Sequence, residues 1–280
     1  MLYRHGVAIP GGYDIKITSE IPINSGTSSS SAMIVALVKF LLTVSNDRRR
    51  NNPYEIARLA HLAEVVEFNE PGGMMDHYAT ALGDVLFMDF RDKVTVERLE
   101  HGMGTFVLGD SQEPKDTKEI LHRVKGGILE MLEFLQIDIG EDLWYLYFSE
   151  ISNKITEFPP DQVELLKGAL YNRDLTDVAH QIFSDGFMED EKLGKLLTRC
   201  HKILKDQLKI STPKLDAMID AGIAAGALGG KLNGSGGGGC MFVYAPHNPE
   251  QVAHAIEKVG GKAFVVEVDE GVKTEMIVTE

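Results

Sequence analysis

Two loops that lie far apart in the sequence have the composition of phosphate-binding loops. The first contains Gly26, Thr27, Ser28, Ser29, Ser30 and Ser31, directly before an apolar run that predicts a helix. Unpaired backbone N–H groups and the positive end of the helix dipole favour an anion at such a point, and serine hydroxyls can also ligate magnesium. An ordinary serine N-cap is the alternative, but it needs only one serine. Gly26 favours the phosphate interpretation, since glycine permits a close backbone approach.

The second loop is a run of glycines interrupted by one serine. Its members are Gly234, Ser235, Gly236, Gly237, Gly238 and Gly239. Glycine-serine runs are usually flexible linkers. Here Lys231 and Leu232 lead into the run and an apolar strand, Cys240–Tyr244, follows it, which favours a tight turn between ordered elements. Neither loop matches the GxxxxGK[ST] pattern of P-loop proteins or the GxGxxG pattern of Rossmann folds in its proper setting, so both folds are disfavoured.

Two carboxylates between the loops could supply the remaining chemistry of phosphoryl transfer. That reaction needs a magnesium ion on the phosphate oxygens and a group that takes or orients the proton of the nucleophile. Glu64 and Asp76 are the candidates. Each has an ordinary alternative: Glu64 on the solvated face of a helix, and Asp76 as an N-terminal helix residue favoured by the dipole. The histidines His61, His77 and His101 form no spaced metal cluster, and we interpret them as surface or satisfied core residues.

Periodicity and helix-breaking residues predict the elements that position these side chains. In the first half we expect a strand at 12–19, helices at 32–44 and 53–69, a short helix at 74–83 and a strand at 85–90. A strand at 105–108, a helix at 118–135 and mostly helical structure to about 208 follow. The last third predicts strands at 240–244, 262–268 and 273–280, with an amphipathic helix at 248–260. A domain boundary is expected near residue 100, which divides the chain into 1–100 and 101–280.

The bulk composition is that of a globular protein. Of its 280 residues, 44% are apolar and 25% are charged, which allows a substantial core. A formal net charge of -14 and a pI near 5.1 argue against general binding to nucleic acid or to anionic membranes. Cys200 and Cys240 are too few for a disulfide framework. With no signal pattern and no apolar run of membrane length, we expect a cytoplasmic protein.

The loops and the acidic segment together resemble the GHMP kinases, the family named for galactokinase, homoserine kinase, mevalonate kinase and phosphomevalonate kinase. PINSGTSSSSA, at 22–32, resembles the second motif of the family, P-x-G-x-G-L-x-S-S-A, and GGKLNGSGGGGC, at 229–240, resembles the third. The segment 63–83 is similar to the galactokinase stretch in which a Glu precedes the catalytic Asp of a G-I-M-D-Q motif by twelve positions. Glu64 and Asp76 have this spacing, and the resemblance covers nearly the whole chain.

The resemblance implies a fold, an activity and a role for each residue. The fold would be α+β in two domains, an N-terminal sheet-and-helix domain and a C-terminal ferredoxin-like domain, with ATP and the acceptor between them. Gly26 and Ser28–Ser30, within the loop 26–31, would cradle the ATP phosphates, and the glycine loop 234–239 would close the site. The Ser30 hydroxyl and Glu64 would bind magnesium. Asp76 would take or orient the proton of an attacking hydroxyl, so that the γ-phosphate of ATP passes to a small acceptor.

The identity of the acceptor and the completeness of its site stay open. The serine run and MMDHYATALG resemble galactokinase, whereas SEIP, EPKDTKEIL and KLNGSGGGGC resemble mevalonate kinase. Because the aspartate segment contacts the acceptor in the family, a monosaccharide is favoured over a mevalonate-like alcohol. The family's first motif, which supplies substrate-binding residues well upstream of the phosphate loop, is expected to be absent, since only 21 residues precede Pro22. A non-catalytic ligand-binding regulator with the same fold is therefore a second hypothesis, and a plain structural module is a third that leaves both loops unexplained.

Overall fold

Helices and strands alternate along the chain in a computed structural model that describes residues 1–23, 26–70, 72–91, 93–99, 102–114, 117–138, 141–186, 189–275 and 277. The helices of these residues are α1 (Ser29–Val44), α2 (Pro53–His61), α3 (Met75–Leu82), α4 (Thr117–Phe134), α5 (Glu141–Tyr145), α6 (Phe148–Ile151), α7 (Pro160–Ser184), α8 (Asp190–Asp206), α9 (Pro213–Ala224) and α10 (Pro249–Lys258). Their strands are β1 (Val85–Asp89), β2 (Thr95–Leu99), β3 (Phe106–Asp110), β4 (Gly229–Leu232), β5 (Cys240–Tyr244) and β6 (Lys262–Val266). None of the described helices has the length and apolar character needed to cross a bilayer.

The first three helices pack around one apolar core. Its fully buried members include Val35 and Leu42 of α1 and Ile56 and Leu59 of α2. Asn52 starts α2 by accepting hydrogen bonds from the backbone N–H groups of the second and third helical residues, and proline occupies the first helical position, where its missing N–H is harmless. The helices α1 and α3 confirm the helices predicted at 32–44 and 74–83, whereas the helix predicted at 53–69 is α-helical only as far as His61. The serine loop lies at the open end of α1.

A four-stranded antiparallel sheet with helices on one face forms the second core. Its strand order is β4-β5-β3-β6. The side chains of alternate strand residues pack against α9 and α10, and the core they form includes Val107, Leu215, Met218, Met241, Val243 and Ile256. Helices connect β3 to β4, a hairpin connects β4 to β5, and α10 connects β5 to β6. This is the βαββαβ arrangement of a ferredoxin-like domain. The predicted C-terminal architecture is therefore confirmed.

The predicted strand at 12–19 is wrong. These residues are extended but belong to no sheet. Alternating apolar residues are not sufficient for a strand, because a strand also needs a neighbour that accepts and donates its backbone hydrogen bonds. Ile15 and Ile17 consequently lie 49% and 56% exposed.

The last predicted strand also fails where the chain is described. Residues 273–275 are in no sheet, and residues 276 and 278–280 lie outside the described part of the chain. The segment 267–275 instead returns to the N-terminal helices. There the backbone N–H of Asp84 donates to the carbonyl of Asp269 at 2.7 Å, and that of Val272 donates to the carbonyl of Ala81 at 3.4 Å. The division at residue 100 remains a prediction.

Candidate active site

The serine loop leads into α1 through two residues with left-handed backbone conformation. Gly26 has φ +79°, and Ser28 has φ 58° and ψ 32°. Ser28 is the N-cap residue, but its side chain makes no capping hydrogen bond, and the first turn contains no acidic residue. The first intrahelical bond runs from Ala32 N to Ser28 O at 2.9 Å, so the N–H groups of residues 29–31 have no intrahelical acceptor. The interpretation of the run as an ordinary serine cap is therefore wrong, and this helix start is suited to an anion.

Glu64 faces the start of α1 from an irregular helical turn. The helix predicted at 53–69 ends as an α-helix at His61 and continues as a π-helical turn, Leu62–Val66, a widening that often occurs at functional sites. The Glu64 side chain is 22% exposed and lies 2.7 Å from His77, so it does not belong to a solvated helix face. Burial opposes its ionisation, but hydrogen bonds from Ser30, Ser31 and His77 outweigh burial and lower the pKa of Glu64.

A magnesium ion fits the donor chemistry at this point. The Ser30 hydroxyl and the ionised Glu64 carboxylate are hard oxygen ligands, the type that magnesium prefers. No group of three or more His, Cys, Asp or Glu side chains in the described residues could hold a metal by itself. Magnesium here would thus depend on phosphate oxygens for its other ligands, as is usual for ions that bind with a nucleotide.

Asp76 lies in the first turn of α3 and is open to solvent. The next residue, His77, is the one that contacts Glu64. Glu64 therefore joins the first turns of α1 and α3. The interpretation of His77 as a satisfied core histidine is only half right, because its second ring nitrogen is buried without a partner among the described residues. The spacing of the buried residues of α3, which are His77, Ala81 and Leu82, was the available signal that His77 points inward.

The glycine loop is an ordered turn, and the linker interpretation is wrong. Gly234 and the four glycines of 236–239 all have positive φ, between 69° and 117°. A Cβ on Gly236 would lie 2.1 Å from the carbonyl oxygen of Ile210, so no side chain fits there. Gly237 N donates to Ile210 O at 2.8 Å, and Gly239 N donates to Glu113 O at 3.3 Å. The N–H groups of Gly237 and Gly239 thus bond within the fold. In this conformation both residues shape the loop, and their N–H groups do not donate to a ligand.

A hydrogen bond between the two loops brings them to one place. Asn233, directly before the glycine loop, donates from Nδ2 to the carbonyl of Gly26 at 2.8 Å. Its backbone N–H donates to Cys240 O at 2.9 Å, which fixes it at the end of the β4–β5 hairpin. A cavity of about 390 Å³ lies beside this contact and is lined by Thr27, Ser28, Phe106, Leu108, Asn233, Phe242 and Val266. This contact of Asn233 could not be predicted from the sequence, since nothing in its neighbourhood points to a residue 207 positions earlier.

Two family models match the chain. The model of the GHMP kinases N terminal domain matches residues 1–84, and the model of the GHMP kinases C terminal domain matches residues 188–262. The chain belongs to the GHMP kinase family. The predicted two-domain α+β fold and the general activity, a phosphotransferase that acts on an alcohol group, are therefore confirmed.

Individual relatives differ in the acceptor that their names state. This GHMP kinase is 31% identical to the mevalonate kinase of Pyrococcus furiosus, in an alignment that covers 95% of this chain and 70% of that protein. It is 26% identical to the galactokinase of Streptomyces coelicolor, over 83% of this chain and 60% of that protein. The crystal structure of Lactococcus lactis galactokinase complexed with galactose has the same fold, with a TM-score of 0.72, 24% identity and coverage of 90% of this chain and 68% of that one.

Proposed function

We propose that this GHMP kinase transfers the γ-phosphate of ATP to a hydroxyl group of a monosaccharide. The observation that carries the proposal is the Glu64 carboxylate, which meets the uncapped first turn of α1 through hydrogen bonds from Ser30 and Ser31. A helix start that favours phosphate and an ionised carboxylate that favours magnesium are the two requirements of a Mg·ATP site. The Asn233 contact adds the glycine loop to the same place.

The serine loop binds the phosphates in this proposal. The backbone N–H groups of residues 29–31, which follow Gly26 and Ser28 in left-handed conformation and have no intrahelical acceptor, donate to phosphate oxygens. Ser30 and Glu64 would hold Mg²⁺, which neutralises charge on the phosphate oxygens when it is bound. Gly236 and Gly238 permit the close packing that keeps the glycine loop beside this site.

Asp76 handles the proton of the acceptor. As the acceptor oxygen forms its bond to the γ-phosphorus, its hydroxyl proton passes to the Asp76 carboxylate, and the bond from the γ-phosphorus to the bridging oxygen breaks to release ADP. The exposure of Asp76 in the first turn of α3 leaves it accessible to a small acceptor from solvent. Asp76 directly precedes His77, whose ring contacts Glu64, and this sequence position supports its placement at the proposed site.

The identity of the acceptor is the more specific part of the proposal. The segment 63–83, which resembles the galactokinase stretch around the catalytic aspartate, supports a monosaccharide. A mevalonate-like alcohol is the second candidate, because the identity to Pyrococcus furiosus mevalonate kinase, 31%, exceeds that to Streptomyces coelicolor galactokinase, 26%. A non-catalytic regulator is disfavoured because Ser30, Glu64 and His77 are connected by hydrogen bonds and the chain retains Asp76. We place the activity in the cytoplasm, in line with Cys200 and Cys240, which form no disulfide in the described part of the chain.

Release of ADP tests the proposal. The protein is incubated with ATP and Mg²⁺, and ADP is measured for each member of a panel of monosaccharides and for mevalonate. Acceptor-dependent ADP release with a sugar supports the full proposal, and release with mevalonate alone selects the second candidate. Binding of Mg·ATP without ADP release for any acceptor in the panel would favour the regulator. Absence of ATP binding would contradict the kinase site itself.

A further inference from the structure

His77 occupies a position that packing alone does not explain. Only 1% of its surface is exposed, and its Nε2 atom lies 2.7 Å from Oε2 of Glu64. The ring packs edge to face against His61, with 5.3 Å between the ring centroids. The residue thus lies between the proposed metal ligand and the helical core of the N-terminal half.

The two nitrogens of the His77 ring have different surroundings. Nδ1 is buried without a hydrogen-bond partner among the described residues. A carboxylate accepts hydrogen bonds and does not donate them, so the ring proton lies on Nε2 and is donated to Glu64. A buried ring nitrogen without a partner is unfavourable, and an apolar side chain would fill the same space without that loss. The histidine therefore points to a role for the Nε2–H bond itself.

That bond completes a set of three donors around Glu64. Ser30 and Ser31 donate from the first turn of α1, and His77 donates from the first turn of α3. A glutamate side chain has several rotatable bonds, and donors from two helices restrict it to one orientation. Partners of this kind fix the orientation of a metal-binding side chain, and their loss typically weakens metal binding about 10-fold to 100-fold.

We propose that His77 is a positioning residue that orients the Glu64 carboxylate for the magnesium ion of Mg·ATP through its Nε2–H bond. The inference rests on the proposed function, and it assigns a role to a residue outside the loops and carboxylates that the sequence indicated. Because His77 directly follows Asp76, the same residue also links the metal side of the site to the proton acceptor.

Replacing His77 by amide side chains of two different lengths distinguishes the effect of its hydrogen bond from the effect of its packing. The amide nitrogen of a glutamine at position 77 reaches about as far as Nε2, whereas that of an asparagine reaches only about as far as Nδ1. Both variants, His77→Gln and His77→Asn, are polar and differ in reach alone. His77→Leu removes the donor altogether, and His61→Leu is the matched control, since His61 touches the His77 ring and not the Glu64 carboxylate in the described contacts.

The measurement is calorimetric binding of a non-hydrolysable ATP analogue, with Mg²⁺ and with EDTA in its place. In the wild type the ratio of the two dissociation constants reports the metal-dependent gain in affinity. We expect His77→Asn and His77→Leu to reduce this gain about 10-fold or more, while His77→Gln and His61→Leu keep most of it. Affinity in EDTA should stay within about 2-fold of the wild type in all variants, which a general loss of structure would not allow.

The outcomes separate this inference from the proposed function. If the wild type binds the analogue with no gain from Mg²⁺, the proposed Mg·ATP site fails. If the wild type shows the gain and the Gln and Asn variants are equal, whether both keep it or both lose it, the role of the Nε2–H bond is contradicted. The comparison of Gln with Asn decides the question even if His77→Leu does not fold.

Discussion

Glu64 and Asp76 are the same type of group in different surroundings, and the surroundings separate their tasks. Glu64 is half-buried and accepts hydrogen bonds from Ser30, Ser31 and His77, which lower its pKa despite burial. It therefore stays ionised at neutral pH, as a metal ligand must. Asp76 is exposed at the start of a helix, where an acceptor from solvent can reach it. In the proposed site, burial and hydrogen bonding, rather than residue type, would decide which carboxylate holds a metal and which handles a proton.

Asp47 permits a test of electrostatics at a single residue away from the site. Its carboxylate accepts hydrogen bonds from the side chain of Arg49, at 2.8 Å, and from the backbone N–H of Arg49, at 2.9 Å. The side-chain bond is the main cause that lowers the pKa of Asp47 to about 2. Because the folded-state pKa is below the unfolded value of about 3.9, the stability that Asp47 contributes is complete above that value and is lost as the pH falls toward 2.

We expect Asp47→Asn to lower the free energy of unfolding by the same amount at pH 7 and pH 5, and by less at pH 3. Urea unfolding at the three pH values measures this. Asp161→Asn is the control, because the Asp161 side chain is 83% exposed and its substitution should change stability little at any pH. An Asp47→Asn effect as large at pH 3 as at pH 7 would contradict the assignment.

At the scale of elements, the glycine loop can be tested by one added methyl group. Gly236→Ala places a Cβ 2.1 Å from the Ile210 carbonyl in a residue with φ +76°. The left-handed conformation costs about 1–2 kcal/mol for a residue with a Cβ, and the overlap adds about 1–3 kcal/mol. We expect lower stability and weaker ATP binding, measured by urea unfolding and by calorimetry.

Gly186→Ala is the matched control for that substitution. Gly186 has a similar φ, +80°, but a Cβ there would meet nothing within 4 Å. The Gly186→Ala variant should lose only the stability that the left-handed conformation costs a residue with a Cβ. Its ATP affinity should be unchanged. Equal losses of stability in the two variants would mean that the packing of the loop against Ile210 is unimportant.

Helices and their starting points could be predicted from the sequence, whereas the pairing of strands could not. The start of α2 at Pro53 is local chemistry, and the structure places it as predicted. The residues 12–19 have a strand pattern, but pairing depends on residues distant in sequence. β2 (Thr95–Leu99) was missed because its residues are mostly exposed and carry no apolar alternation, so its pairing with β1 leaves no local signal.

In the candidate site, too, features that depend on local sequence could be predicted and features that depend on distant contacts could not. The two loops could be identified because glycine and serine are needed for backbone reasons that act locally. The roles of His77 and Asn233 could not, because each depends on a contact across the fold, with Glu64 in one case and with Gly26 in the other. The π-helical turn at Glu64 was also missed, since a widened turn has the same apolar spacing over five residues as a regular helix.

At the scale of the whole molecule, binding of ATP to a chain with a net charge of -14 requires local compensation. In the proposed site the start of α1 and a bound magnesium ion would provide this compensation, and neither depends on the net charge. The two halves must stay in contact for this purpose. Asn233 joins the two loops, and the segment 267–275 returns from the sheet to the end of α3.

The contact of Asn233 with Gly26 gives a prediction for the whole molecule. Asn233→Ala removes a single neutral hydrogen bond between the halves, worth about 0.5–1.5 kcal/mol, which corresponds to about a 2-fold to 10-fold loss of Mg·ATP affinity. Calorimetry measures the loss. Asn248→Ala is the control, because Asn248 is exposed in the same half and its side chain makes no capping bond. Unchanged affinity in Asn233→Ala would show that the contact does not bring the two loops into one site.

The central claim is that phosphoryl transfer occurs at this junction with Asp76 as the proton acceptor. Turnover of the wild type and of Asp76→Asn, measured as ADP release with the most active acceptor, tests it most directly when ATP affinity is determined on the same preparations. We expect turnover to fall at least ~100-fold in Asp76→Asn, as loss of a proton-handling group should produce, while ATP binds as in the wild type. Turnover in the variant equal to that of the wild type would contradict the claim.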